Sequence, residues 1–216
     1  MRPIQQTITL AAADPNGITT AETPGLNADL TLNGAFVSGG IATLTPPRSV
    51  TLTSADDFSA VTFTIYGYDE NNYPAIEALT GPNNATVTST TNFKTVTRIA
   101  TDSGGGFTTE TVEAGAEASG IGDGAWWPLD LYNPNQVTTI SVNILTGTAN
   151  YSVQYTNEDP FDTTITQLAV AHPVAALTGA STDQTAFTTT LMRAVRVNFA
   201  SGTGTVRVTV TQQSTV

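Results

Sequence analysis

The chain has 216 residues, 39% of them hydrophobic and 12% charged, with a formal net charge of −11 and no cysteine. It is too apolar for a disordered chain, and long enough for one large β domain or two small ones. The lack of cysteine excludes disulfides and thiolate metal sites, the acidity disfavours phosphate backbones as partners, and no apolar run is long enough to span a bilayer.

Roughly one residue in five is threonine, whose β-branched, hydroxyl-bearing side chain suits a pleated, half-exposed surface. The opening stretch, MRPIQQTITLAAADPNG, has one arginine and a short apolar patch broken at Asp14-Pro15, without the apolar core of a secretory signal. The expectation is a protein used without export. The first forty-odd residues, rich in Ala, Gly, Asn and Pro, read as an arm with short strands. Such arms can drape over a partner and order on binding, which makes Arg2, Ile4, Ile8 and Leu10 candidate partner contacts.

Period-two alternation then recurs along the chain. Val61, Phe63 and Ile65 alternate with Thr62, Thr64 and Tyr66. The same pattern holds for Ile140, Val142 and Ile144, for Tyr151, Val153 and Tyr155, for Val195, Val197 and Phe199, and for Val206, Val208 and Val210. Each run predicts a strand of an antiparallel sheet with one buried face. Helix signals are scarce, and the best short candidate, Ala75 to Leu79, reads equally well as a strand. YDENNY (Tyr68 to Tyr73), LTGTANY (Leu145 to Tyr151) and ASGTGTV (Ala200 to Val206) predict hairpin turns, the last two with glycine supplying positive φ. The predicted fold class is all-β: an antiparallel β-sandwich or jelly-roll-like arrangement of two packed β units with few or no helices.

The only lysine, Lys94, lies in NFKTVTR together with Arg98. In a regular strand Lys94, Val96 and Arg98 share one face, and Phe93, Thr95, Thr97 and Ile99 the other. Three readings stand side by side: an edge strand guarded by charge, an internal ion pair, or a basic contact to an acidic partner. Arg193, Arg196 and Arg207 form a second basic strip, with Arg196 and Arg207 on the polar faces of strands that could pair across a turn at Ser201 to Gly204.

EAGAEASGIGDGAWWPLD (Glu113 to Asp130) is small and acidic, then abruptly aromatic, and reads as a connection. It divides the chain into residues 1–121, an N-terminal arm plus β-sandwich unit, and residues 122–216, a C-terminal β-sandwich unit. The alternative is one large β domain with a long loop. Trp126 and Trp127 are candidates for an inter-unit plug, because tryptophan buries a large area.

Chemistry is sparse. His172, the only histidine, precedes a proline and has no serine elbow to serve. Asp56 with Asp57, and Asp69 through Asn72, are dense oxygen donors, but turn formation accounts for both. Glu110, Glu113, Glu117, Asp123, Asp130, Glu158, Asp159 and Asp162 could supply a carboxylate pair, yet they fall in apparent loops with only Trp126 and Trp127 near. SGGG (Ser103 to Gly106) lacks the Gly-Lys-Ser ending of a phosphate loop. The expectation is no catalytic residue, no metal and no cofactor.

The phrases PRSVTLTS, VTFTIYGYDENN, LTGPNNATVTSTTNFKTVTRI, WWPLDLY, TGTANYSVQYTNEDPFD and RAVRVNFASGTGTVRVTVTQ, spread over most of the chain, resemble a type of virion structural protein of tailed bacteriophages. The likeness lies in texture and short phrases, so no functional residue carries over. It implies a β-rich particle component made in the host bacterial cytoplasm and located in the virion. Its expected role is decorating and cementing the capsid exterior as a homo-oligomer, with a trimer favoured, bound to the major capsid protein or another virion protein. A place in the tail or head–tail joint, or a carbohydrate-binding module for host attachment, are the alternatives.

Overall fold

The computed structural model describes residues 3–102, 107–121, 124–131, 136–162 and 169–214. Among these the chain forms β1 (Ile4–Leu10), β2 (Asp14–Glu22), β3 (Val37–Ser38), β4 (Ile41–Asp57), β5 (Thr62–Tyr68), β6 (Pro74–Thr80) and β7 (Asn83–Thr101). It continues with β8 (Val112–Ile121), β9 (Trp127–Pro128), β10 (Gln136–Thr156), β11 (His172–Pro173), β12 (Gln184–Thr188) and β13 (Ala194–Ser214). One short 3-10 turn, Ala175–Leu177, interrupts the strands. The fold is all-β and antiparallel, of the sandwich class, with described sheets of six and seven strands. Ala75 to Leu79 belongs to a strand, β6.

The chain divides into two compact units, Ala12–Gly122 and Met1–Ala11 with Asp123–Val216. The strand Ile4–Leu10 lies antiparallel to β13, from Ile4 opposite Val210 to Leu10 opposite Gly204.

In the unit Ala12–Gly122 the strands run in the order β2, β8, β4, β7, β5, β6, with β3 beside the start of β4. The 19-residue β7 folds back on itself. Its start pairs Asn83 with Asp57, one residue from Phe58, whose amide donates to the Pro82 carbonyl (2.7 Å). Just past its end, the Asp102 amide donates to Thr62 (3.0 Å), and Thr62 pairs with Thr80. Both ends therefore meet the same few residues, whereas a straight strand of that length would hold them about 60 Å apart. The core between the folded layers holds Ile18, Leu44, Leu52, Phe58, Phe63, Ile65, Phe93, Val96 and Ile99.

The other unit repeats the device. β10 and β13 pair along nearly their whole length, and β13 folds so that neighbouring residues reach both its ends. The Leu129 amide donates to the Arg193 carbonyl (2.8 Å), while the Asp130 amide donates to Oε1 of Gln212 (2.9 Å). The predicted alternations hold on both arms of the fold except at the run ends Ile144 and Tyr155, which are half-buried: Ile140, Val142, Val206, Val208 and Val210 are buried on one, and Tyr151, Val153, Val195, Val197 and Phe199 on the other.

The fold-back sits where LTGTANY and ASGTGTV predict hairpin loops. Neither stretch reverses the chain. They lie opposite each other inside the β10–β13 ladder, with Gly147 facing Gly204 and Ala149 facing Gly202. Gly147, Gly202 and Gly204 do take positive φ (73°, 152° and 101°), and register shifts flank them. Positive φ in paired strands makes a bulge and a bend just as it makes a turn. YDENNY, by contrast, does close a hairpin, between β5 and β6, with Asn72 at φ 63°.

Glu113 to Ile121 is likewise a strand rather than a connection. β8 lies between β2 and β4 with Ala114 and Ala116 buried. Its small residues mark close packing: a Cβ on Gly115 would overlap the Asp14 carbonyl.

Candidate functional site

Arg2 lies outside the described residues, as do Asp123 and the SGGG stretch. Ile4 and Ile8 are half-buried and Leu10 is 1% exposed, all on the inner face of β1 opposite Val210, Val206 and Gly204. The start of the segment read as an arm with short strands is thus a strand paired in register with β13, Ile4 opposite Val210 and Ile8 opposite Val206. Its outward residues are Gln5, Thr7 and Thr9.

Lys94 is on β7, which pairs with both β4 and β5, so the edge-strand reading fails. Its Nζ donates to Oδ1 of Asn72 in the β5–β6 turn (2.8 Å). Arg98 makes the internal ion pair: its Nε sits 2.7 Å from Oδ1 of Asp29, and its guanidinium lies 5.2 Å from the centre of the Tyr66 ring. The Asp29 carboxylate raises the Arg98 pKa. The expected alternation along this strand also breaks. Phe93, Val96 and Ile99 are all buried, because register shifts at Thr43/Arg48 and Tyr66/Gly67 reset which face turns inward.

Arg196 and Arg207 share one strand and do not pair across a turn. Arg196 donates from Nε to Oε1 of Gln154 (2.9 Å) and stacks 4.5 Å from the ring centre of Trp126. Arg193 forms an ion pair with Asp159. Trp126 is buried in this setting, and the half-buried Trp127 pairs with Val195. These contacts fall within the unit that holds both tryptophans.

Sequence reasoning missed Arg48. It is 1% exposed on β4, and its Nη1 donates to the carbonyls of Glu117 (3.2 Å) and Ala12 (3.5 Å), tying β4 to β8 and to the approach to β2. Burial pulls its pKa down. A lone arginine in PPRSV carries no local mark of burial, since its acceptors are carbonyls distant in sequence.

The acidic groups act as connectors. Asp57 accepts from the amide and hydroxyl of Ser59, and these bonds hold its carboxyl below the usual range. Asp69 accepts from the amides of Asn71 and Tyr73, shaping the β5–β6 turn. Asp56 accepts from the Thr111 amide, Glu117 from the Thr88 hydroxyl, and Glu158 from the Val170 amide. Glu110 accepts from the amides of Thr108 and Thr109, which lower its pKa. His172 is exposed, its ring 5.4 Å from that of Tyr155. Among the described residues no three histidine or acidic side chains are grouped to hold an ion.

The basic side chains of Arg48, Lys94, Arg98, Arg193 and Arg196 are thus all bonded within the fold. Neither a scan against protein families nor a search of curated proteins returns a match to this chain.

Proposed function

We propose that the chain is a structural component of a tailed-bacteriophage particle, one that decorates and stabilises the capsid exterior through repeated contacts made by a symmetric oligomer. The observation that carries this reading is how the polar side chains are used. Arg48, Lys94, Arg98, Arg193 and Arg196 are all bonded within the fold, and the acidic side chains brace turns and strand ends. Polar chemistry spent on bracing suits a rigid repeated element, whose grip comes from many modest contacts acting together. The phage-like phrases in the sequence support the same reading.

Copy number per particle tests it. Virions of the phage encoding this chain would be purified and its peptides quantified against the major capsid protein. Hundreds of copies are expected. About a dozen would move the protein to a ring at the neck or tail, and none would overturn the virion reading. Attachment is then mapped with point replacements on the outward face of β1, such as Gln5→Glu, because deleting the strand would uncover Val206, Val208 and Val210.

A further inference from the structure

Six of the seven basic residues are described, and among these Arg207 is the one whose side chain makes no hydrogen bond or ion pair. It lies on a polar face built by four strands. Across the ladder Arg207 faces Thr7 of β1 on one side and Asn143 of β10 on the other. The next row outward is Gln5, Thr209, Ser141 and Thr185. That these side chains share one face is seen in their contacts: Asn143 Nδ2 donates to Ser141 Oγ (3.3 Å), and the Ser141 and Thr185 hydroxyls lie 3.0 Å apart. One row further, on β12, Phe187 is 74% exposed. The opposite face of the same strands is the buried one, with Ile140, Val142, Val208, Val210 and Ala186.

We infer that this face binds a carboxylated saccharide. Four strands and three rows span about 14 by 13 Å, the footprint of two or three sugar rings. Hydroxyls and amides that both donate and accept match a ligand covered in hydroxyls. The Arg207 guanidinium, with its fork unused, matches a carboxylate and offers it two parallel bonds, a local attraction that acts against the overall negative charge of the chain. Phe187 at the rim offers an apolar plane for the C–H side of a ring. Asp183 makes no ion pair with Arg207, and its Oδ1 accepts from the Ile144 amide (2.7 Å). A protein partner fits less well: Ser and Thr contribute little at protein interfaces, and a second copy would bring the same excess negative charge. An open face implies weak single-site binding that an oligomer would amplify. This inference concerns the isolated protein and stands or falls separately from the particle's copy number.

The test is binding of the whole protein to an array of sialylated and uronic-acid oligosaccharides, each beside its neutral or methyl-esterified counterpart. The strongest acidic binder is then titrated by NMR against wild type and variants. Binding to carboxylated members alone is expected, falling at least tenfold in Arg207→Gln and Asn143→Ala and severalfold in Phe187→Ala. Arg207→Lys should recover only part of the loss, because it keeps the charge without the fork. Of the three sites Phe187 is exposed and Arg207 and Asn143 are half-buried on the polar face, and an unchanged melting temperature confirms that folding is intact. The inference is overturned by no binding to any acidic saccharide, by binding indifferent to Arg207→Gln, by equal binding to neutral counterparts, or by an Arg207-dependent self-association with no saccharide binding.

Discussion

Gly147 and Gly204 face each other across the β10–β13 ladder, both at positive φ, where the paired strands fold back. Each is held to glycine twice over. A Cβ on Gly147 would overlap the Thr203 carbonyl, and one on Gly204 the Thr146 carbonyl. The backbone conformation alone disfavours any other residue. Gly147→Ala should therefore cost about 3 kcal/mol, against about 1 kcal/mol for Gly179→Ala, which has similar φ (62°) but open space around it. Urea denaturation of the two variants makes the comparison, and equal losses would mean that the bend does not depend on glycine.

Arg48 holds carbonyls of two other segments from a buried position. Arg48→Ala would leave those carbonyls short of a donor and open a cavity, at a cost of about 3 kcal/mol. Arg48→Lys should not restore the loss, because an ammonium cannot reproduce the fork. Full recovery of stability with lysine would refute the geometric role.

Three buried threonine hydroxyls among the described residues, those of Thr19, Thr51 and Thr138, have no hydrogen-bond partner. At these positions the β-branched shape is useful and the oxygen is not. Thr138→Val should be neutral or stabilising by about 1 kcal/mol, since it removes an unmet polar group at constant shape. A thermal melt that falls by several degrees would show instead that the hydroxyl matters.

Glu77 on β6 accepts from the amides and side chains of Thr90 and Thr91 on β7. Burial pushes its carboxyl up, but the bonds outweigh this and hold it below the ordinary glutamate value. The unfolded chain therefore takes up this proton first as pH falls. The contribution is complete above about pH 5 and is lost as the pH drops through the folded value. Glu77→Gln should flatten the acid limb of a stability-versus-pH curve, and superimposable limbs would rule the contribution out.

Lys94 binds an exposed asparagine, so its loss should barely alter stability. Lys94→Ala is expected to shift unfolding by less than about 0.5 kcal/mol. If the same variant also enters particles at the wild-type level, Lys94 is no partner contact. Reduced incorporation with unchanged stability would revive that reading.

The strands with strict alternation were legible because burial on one face leaves a period-two trace, as in Val206, Val208 and Val210. What stayed hidden depends on partners. Gly147, Gly202 and Gly204 announce positive φ but not whether the chain reverses or bends in register. Phe93, Val96 and Ile99 hide a strand because an irregularity in β4 and an extra residue in β7 itself, opposite Tyr66 and Gly67, decide which of them turns inward. Arg196 and Arg207 look alike in sequence, eleven positions apart on one strand. Only the fold gives one of them a glutamine and a tryptophan while leaving the other facing solvent with threonine and asparagine on either side.

The pairing of Ile4 with Val210 has a consequence for the order of events during synthesis. The unit Ala12–Gly122 has all its strands in hand once that stretch has been translated, and can fold while translation continues. β1 must wait. Its apolar side, Ile4, Ile8 and Leu10, finds no cover until the strand made some two hundred residues later has emerged. A ribosome stalled before Val206 should therefore carry a protease-resistant first unit and a protease-sensitive β1, and release should protect both.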